Sequence, residues 1–159
     1  NNPLGTAGSL VKLKNKLTNT FLVAYGDILR ELDIRKLIAF HLQKHGLGTI
    51  CAYENYKPDP KSLITFNKNQ KITSFLERPK KVFSSKAWSN ASFYVFEPEI
   101  FNYIPYNKLA DFGKDIFPKV LLDKKRLFAF KETGHFCDIG DVLKINKANL
   151  DFTISKHSL

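Results

Sequence analysis

The fold class follows from residues 21–53, FLVAYGDILRELDIRKLIAFHLQKHGLGTICAY. The run Phe21 to Tyr25 is continuously apolar, which is typical of a parallel strand covered on both faces. Ile34 to His45 has helical spacing of its apolar residues, and Gly48 to Tyr53 is a second strand-like run. A strand, a helix and a strand in this order predict a βαβ unit with a right-handed crossover. We therefore expect a three-layer α/β domain with an at least partly parallel sheet.

The helix in this unit carries its own start and stop signals. Asp33 is placed to cap its first turn, and Gly46 is placed to end it. The spacing puts Leu37, Ile38 and Leu42 on the expected inner face.

The flanking sequence continues the alternation of strands and helices. A hairpin is predicted at residues 63–66 and 72–77, and a buried strand at 88–96. Further helices are expected at 7–17, 98–104, 114–122 and 141–150, and short strands at 127–131 and 135–139. We expect one domain over residues 1–154 and a flexible tail at 155–159.

The composition limits the class of protein. With 159 residues, 43% hydrophobic content and 14 Phe, the chain has enough apolar material for one core. It has no apolar run of about 20 residues and no signal-peptide pattern, so we expect a cytoplasmic protein without a membrane partner. Cys51 and Cys137 lack CxxC spacing and predict neither a zinc site nor a disulfide framework. There is no Met, so we expect a processed protein or a part of a longer one.

The formal charge of +10 favours a polyanionic partner, either nucleic acid or small phosphorylated molecules. The basic residues lie in short clusters, which are typical of solvated surfaces, so we expect no nucleic-acid partner. An RNA-binding α/β domain is the alternative, and it depends on charge alone.

Two aspartates are candidates for metal binding. Asp27 and Asp138 each follow a strand-like segment and lie next to glycine, in Gly26-Asp27 and Asp138-Ile139-Gly140. Mg²⁺ in phosphate chemistry commonly takes one or two protein carboxylates together with substrate oxygens. The alternative is that each is an ordinary turn or capping residue.

The chain opens with the glycine-containing segment Pro3-Leu4-Gly5-Thr6-Ala7-Gly8. Glycines let a backbone approach a flat or phosphorylated ligand closely, and a helix that begins here presents free N–H groups to an anion. This segment is therefore a candidate nucleotide-binding loop.

A third set of candidates lies after the hairpin. Glu77 can accept bonds from sugar hydroxyls, and the Arg78 guanidinium can bind a phosphate with two parallel bonds. Asn90 offers donors and an acceptor to a hydroxyl-rich ligand. A surface charge cluster and a turn residue are the alternatives. His41 and His45 lack a third metal ligand and are interpreted as surface or packing residues.

In this order, these motifs together with Asp111-Phe112-Gly113-Lys114-Asp115 resemble the sugar-1-phosphate nucleotidylyltransferases. Leu-Gly-Thr-Ala-Gly is most similar to the mannose-1-phosphate guanylyltransferases, close to the heptose-1-phosphate guanylyltransferases. The resemblance implies a Rossmann-like nucleotide-diphospho-sugar transferase fold with a mixed, mainly parallel sheet. It also implies nucleotidyl transfer, with GTP the expected nucleoside triphosphate, to a mannose- or heptose-type sugar 1-phosphate.

The resemblance assigns roles to the candidates. Leu4, Gly5, Thr6, Ala7 and Gly8 would form a wall of the nucleotide site. Gly26, Glu77, Arg78 and Asn90 would bind the sugar phosphate. Asp27 and Asp138 would be catalytic residues that hold Mg²⁺.

The chain also departs from the family pattern. Arg78 stands where a lysine is common, Ser92 replaces a glycine, and no GGxGTRLxPxTxxxPK loop occurs. We therefore expect this chain alone to be inactive, and to form a homo-oligomer or pair with an N-terminal segment. A noncatalytic subunit that binds a nucleotide sugar is the alternative function.

Overall fold

The computed structural model describes residues 3–55, 61–79, 87–133, 136–146 and 148–149, with the backbone alone for 136–138. The expected tail at 155–159 lies outside these ranges.

The described chain forms a six-stranded mixed sheet and a separate two-stranded sheet. The larger sheet has the order β5-β4-β6-β3-β7, and β1 pairs with β6 beside this path. Its strands are β1 (Phe21–Ala24), β3 (Gly48–Asn55), β4 (Ser62–Phe66), β5 (Ile72–Glu77), β6 (Ala87–Phe96) and β7 (Leu127–Glu132). The smaller sheet pairs β2 (Ile28–Arg30) with β8 (Phe136–Asp138).

The expected mixed α/β sheet is confirmed, but its described pairings are mostly antiparallel rather than mainly parallel. β3 and β7 form a parallel pair, whereas β1, β3 and β4 all run antiparallel to β6. β1 and β3 do run in the same direction, as a βαβ unit requires, and β6 lies between them. The order of predicted strands and helices along the chain did not indicate that β6 lies between β1 and β3.

The helices flank the larger sheet. They are α1 (Gly5–Gly8), which continues as a 3₁₀ helix (Ser9–Leu13), α2 (Ile34–Lys44), a 3₁₀ helix (Pro98–Tyr103), a π-helical turn (Phe112–Ile116) and α3 (Phe117–Leu122). Residues 142–146 are also helical, and Asp141 accepts a bond from the Lys144 N–H at 2.9 Å. No helix in the described ranges has the length and apolarity to span a membrane.

The predicted cap of α2 is confirmed, because the Asp33 carboxylate accepts from the Lys36 N–H at 3.1 Å. The helix ends one residue earlier than predicted: His45, not Gly46, adopts the left-handed conformation, with φ 49°. Gly46 is required for a different reason. A Cβ there would lie 2.7 Å from the Phe128 ring.

The predicted inner face of α2 is only partly correct. Leu37 is fully buried, but Ile38 and Leu42 are 37% and 53% exposed. The buried position one turn after Leu37 is His41, whose ring nitrogens lie 2.9 Å from Thr49 Oγ1 and 2.9 Å from Glu97 Oε1. His41 is therefore a packing residue with both polar atoms satisfied.

An aromatic cluster fills the space between β6 and the segment before α3. Tyr94 and Phe96 on β6 pack against Phe112 and Phe117, with ring centroids 5.2 to 6.2 Å apart. All four side chains are fully buried. This cluster fixes the backbone of residues 111–117 against the sheet, and so positions Asp111 and Gly113 beside the end of β5.

Candidate functional site

A cavity of about 290 Å³ opens where the last residues of β5 meet the first half of β6. Its polar lining comes from distant parts of the chain. The lining includes Thr6, Tyr25, Glu77, Arg78, Asn90, Ser92 and Asp111. The fold therefore brings together Thr6, Glu77, Arg78 and Asn90, which the sequence had singled out separately.

Asp111 connects α1 to the turn before α3. Its Oδ2 accepts from Thr6 Oγ1 at 2.7 Å, and its Oδ1 accepts from the N–H groups of Gly113 and Lys114 at 2.9 and 3.0 Å. Thr6 Oγ1 in turn accepts from the Phe112 N–H at 3.1 Å. Three donors therefore hold the Asp111 carboxylate in a fixed position between α1 and the turn before α3.

Glu77 ends β5 and faces the segment that contains Asp111. Burial and the nearby Asp111 carboxylate raise the pKa of Glu77 from 4.5 to about 7, although the positive charge of Arg78 opposes the shift. The carboxyl lies directly against Gly113, where a Cβ would overlap Oε2. Glu77 therefore changes its protonation state near neutral pH inside the cavity.

Asn90 is held in one orientation by its neighbours. Its Nδ2 donates to Tyr94 Oη at 2.8 Å, and its Oδ1 accepts from the Ser92 N–H at 3.0 Å. The Ser92 carbonyl then accepts from the Tyr25 N–H at 3.2 Å. One N–H and one lone pair of the Asn90 amide remain to bind a ligand.

Two residues in the cavity wall have left-handed backbone. Ser92 has φ 57°, beside an irregularity in the pairing of β3 with β6, and Arg78 has φ 45°. The Arg78 N–H donates to the Lys61 carbonyl at 2.9 Å. Non-glycine residues rarely adopt this conformation, and strain of this kind is concentrated at functional sites.

The two candidate metal ligands are neighbours along the smaller sheet. Ile28 pairs with Asp138, and the Ile139 N–H donates to the Asp27 carbonyl at 2.8 Å. The Asp27 side chain is exposed, and Ile28 lines the cavity. Among the described residues, no group of three or more His, Cys, Asp or Glu side chains is placed to hold a metal ion.

The glycine segment differs from the expected loop. Gly5–Gly8 is itself the helix α1, and the run becomes a 3₁₀ helix that ends at Leu13, so the helix predicted over 7–17 begins two residues earlier and ends four residues earlier than expected. A Cβ at Gly5, where φ is 74°, would lie 2.5 Å from the Ala110 carbonyl oxygen, and one at Gly8 would overlap the Lys108 carbonyl. The Ala7 and Gly8 N–H groups both donate to the Ala110 carbonyl. These glycines therefore allow close packing against residues 108–110.

Of the other predicted residues of this segment, Thr6 lines the cavity and Leu4 accepts a bond from the Ala110 N–H at 3.0 Å. Gly26 is exposed, and a Cβ there would meet nothing within 4 Å. Sequence reasoning gave no site role to Asp111, Tyr25 or Tyr94. The capping pattern of Asp111, followed by Gly113 and Lys114, was the signal that could have identified the first of these.

A family model described as nucleotidyl transferase matches residues 1–154. Among curated relatives, a UTP--glucose-1-phosphate uridylyltransferase of Synechocystis sp. is 32% identical over 87% of this chain. A mannose-1-phosphate guanylyltransferase catalytic subunit beta of Drosophila melanogaster is 30% identical over 87%, and a glucose-1-phosphate adenylyltransferase of Bacillus subtilis is 31% identical over 92%. The chain spans 37%, 37% and 41% of the length of these relatives.

Solved structures with the same fold agree with this match. HddC from Yersinia pseudotuberculosis superposes with a TM-score of 0.78 at 25% identity, over 96% of this chain and 64% of that one. Its complex with GMP-PN gives a TM-score of 0.77 over the same shares. With the family match over nearly the whole sequence, the chain belongs to the nucleotidyl transferase family.

Proposed function

We propose that the protein transfers a nucleotidyl group from GTP to a mannose- or heptose-type sugar 1-phosphate, with release of pyrophosphate. The family match and relatives named for the same reaction class support the transfer itself. The choice of GTP is supported by the relatives named guanylyltransferases and by the resemblance of Leu4 to Gly8 to that branch. Because the reaction uses soluble cellular metabolites, we propose a cytoplasmic location.

The cavity is the observation that carries this proposal. Glu77 and Asn90 present an acceptor, a donor and a further lone pair to sugar hydroxyls, and Arg78 supplies a fixed positive charge next to them. A sugar phosphate needs this combination of hydroxyl-binding groups and a cation. The volume of about 290 Å³ is near the lower end of the usual range for small-ligand sites, roughly 300 to 1,000 Å³.

In the proposed reaction, an oxygen of the sugar 1-phosphate attacks the α-phosphorus, and pyrophosphate leaves in line. Such a transfer depends on orientation and charge stabilisation and requires no nucleophilic side chain. Arg78 would hold the sugar phosphate, and the oriented Asn90 amide would fix the sugar ring. Glu77 would accept a bond from a sugar hydroxyl in its carboxylate form, which predominates above about pH 7.

Asp27 and Asp138 lie on adjacent backbones of the smaller sheet, and carboxylates are the oxygen donors that Mg²⁺ takes together with substrate phosphates. We propose Asp27 and Asp138 as the residues that would hold it. Bound Mg²⁺ would neutralise developing negative charge on the phosphate oxygens.

The test is pyrophosphate release by the full-length protein with Mg²⁺, each of the four nucleoside triphosphates, and mannose or heptose 1-phosphate. We expect turnover with GTP, and Arg78→Gln should raise KM for the sugar phosphate at least about tenfold through loss of a charged hydrogen bond. Lys119→Gln, which removes an exposed charge from α3, is the matched control. Lack of turnover with every combination would contradict the proposal.

The noncatalytic alternative is supported by the residue types of Arg78 and Ser92, which stand where the family pattern commonly has lysine and glycine. Calorimetry distinguishes the two functions. Binding of a nucleotide sugar without any turnover would favour a regulatory subunit, whereas turnover with GTP would exclude it.

A further inference from the structure

A larger cavity, of about 620 Å³, lies at the opposite end of the sheet from the candidate site. Lys71 lines it and directly precedes β5, whereas Glu77, in the candidate site, is the last residue of β5. A strand of six residues spans roughly 20 Å. The two cavities are therefore separate sites.

Basic side chains from three turns surround this cavity. Lys71 follows the β4–β5 turn, His45 ends α2, and Lys124, Lys125 and Arg126 connect α3 to β7. The lysines and the arginine carry permanent charges, and none of them has an ion-pair partner among the described residues. Cations that converge on a concave surface without partners create a positive potential there.

The acidic residues in the wall cancel only part of this charge. Glu97 and Glu99 line the cavity, but Glu97 Oε1 accepts from Thr20 Oγ1 at 2.8 Å and from His41 Nε2 at 2.9 Å. The Glu97 carboxylate is thus already bound within the chain. Four basic side chains face two carboxylates, which leaves an excess of two positive charges in the wall.

Backbone hydrogen bonds hold the basic turns in fixed positions relative to one another. The Leu47 N–H donates to the Arg126 carbonyl at 2.8 Å, and the Glu97 N–H donates to the Leu47 carbonyl at 3.0 Å. Lys71 and Phe128 form a β-bridge that joins the β4–β5 turn to β7. The charges are therefore arranged before a ligand binds, so binding loses little conformational entropy in these turns.

We propose that this cavity binds a small molecule that carries two or more phosphate groups. One phosphate is satisfied by one or two cations, whereas four cations from two separate turns suit several phosphates in a row. The cavity is large enough for such a molecule in its entirety, since ligand sites commonly measure roughly 300 to 1,000 Å³.

The test uses hydrogen exchange of the full-length protein with inorganic tripolyphosphate as the probe. We expect slower exchange at residues 45–47 and 123–126, because a bound anion opposes local opening of these turns. Arg78→Gln should leave this protection unchanged, since it affects only the candidate site. The Lys124→Gln, Lys125→Gln double variant should weaken tripolyphosphate binding at this cavity at least tenfold.

A double variant of Lys12→Gln and Lys16→Gln is the matched control, because it removes the same charge from another exposed region. It should retain the protection. The proposal is overturned if wild-type protein shows no protection at either turn, or if the Lys124, Lys125 double variant is protected as strongly as wild type. Neither outcome depends on the proposed transferase activity.

Discussion

Replacement of Gly113 by Ala is expected to displace the Glu77 carboxyl while the fold remains intact. A Cβ at residue 113 would overlap Glu77 Oε2, with Glu77 Cδ at 3.0 Å and Phe75 Cε1 at 3.2 Å. Unstrained carbon contacts require about 3.5 to 4.0 Å, so the carboxyl must retreat by about 1 Å. The end of a flexible side chain can make this movement at low cost.

The stability of the variant should change little. Gly113 is not in the left-handed region, so Ala can adopt its backbone conformation. The gain in helix propensity, up to about 1 kcal/mol, opposes a crowding cost of similar size. We expect Tm to stay within a few degrees of wild type. The substitution should instead reduce the rate of the reaction, because a displacement of a site residue by about 1 Å can reduce catalysis about 100-fold.

The direct assay is the pKa of Glu77, followed by carbon NMR of the glutamate carboxyls, with Glu77→Gln to assign the resonance. A carboxyl that leaves its buried position beside Asp111 should titrate below about 7 and closer to 4.5. Gly26→Ala is the matched control, since its Cβ would meet nothing within 4 Å. An unchanged pKa of Glu77 in Gly113→Ala would refute the reasoning.

The raised pKa of Glu77 in the wild-type protein predicts that the free energy of unfolding depends on pH. The pKa of Glu77 is higher in the folded chain than in the unfolded one, so the folded state binds more protons between pH 4.5 and about 7. Glu77 should therefore lower the free energy of unfolding as pH rises through this range. Gly113→Ala and Glu77→Gln should both reduce this slope, which urea denaturation at several pH values would measure.

Three further substitutions test other parts of the site. Ser92→Gly should raise the free energy of unfolding by up to about 1 kcal/mol in urea denaturation, because relief of left-handed strain of about 1 to 2 kcal/mol outweighs the added freedom of unfolded glycine. A lower value would contradict this. Thr6→Val should cost about 1 to 3 kcal/mol in the same experiment, since Asp111 and the Phe112 N–H lose a shared partner. Asp27→Asn should leave Tm unchanged and raise the Mg²⁺ concentration for half-maximal activity at least about tenfold; an unaltered Mg²⁺ requirement would exclude Asp27 as a ligand.

The strands were predictable because their signals are local. Apolar runs and turn residues gave the hairpin of β4 and β5 and placed β3, β6 and β7 within two residues of their observed bounds. The coverage of β1 was wrong: Leu22 is 36% exposed and Ala24 is also exposed, so the face of the strand that carries these two side chains is not covered within the described ranges. The described part of β1 also pairs only with β6, in the antiparallel direction. Strand neighbours depend on long-range pairing, which hydrophobic periodicity does not encode.

The candidate site was predictable only in part, for a related reason. Glu77, Arg78 and Asn90 could be selected because their residue types suit sugar phosphates and they recur in a known motif order. The hydrogen bond of Thr6 to Asp111 could not be predicted, since the two residues are 105 positions apart in the sequence. The same holds for Gly5, whose left-handed conformation permits the close approach to Ala110 that brings Thr6 into the site.

These long-range contacts explain why the Asp111 carboxyl lies where it acts on Glu77. Asp111 accepts hydrogen bonds from Thr6, Gly113 and Lys114, and these bonds fix its position near the end of β5. Burial and the Asp111 charge both disfavour the ionised form of Glu77, and only the positive charge of Arg78 favours it. The pKa of Glu77 is therefore raised to about 7 at the end of β5, where the carboxyl lines the cavity. The packing of α1 against residues 110–112 thus controls the chemistry of a residue that α1 does not itself supply.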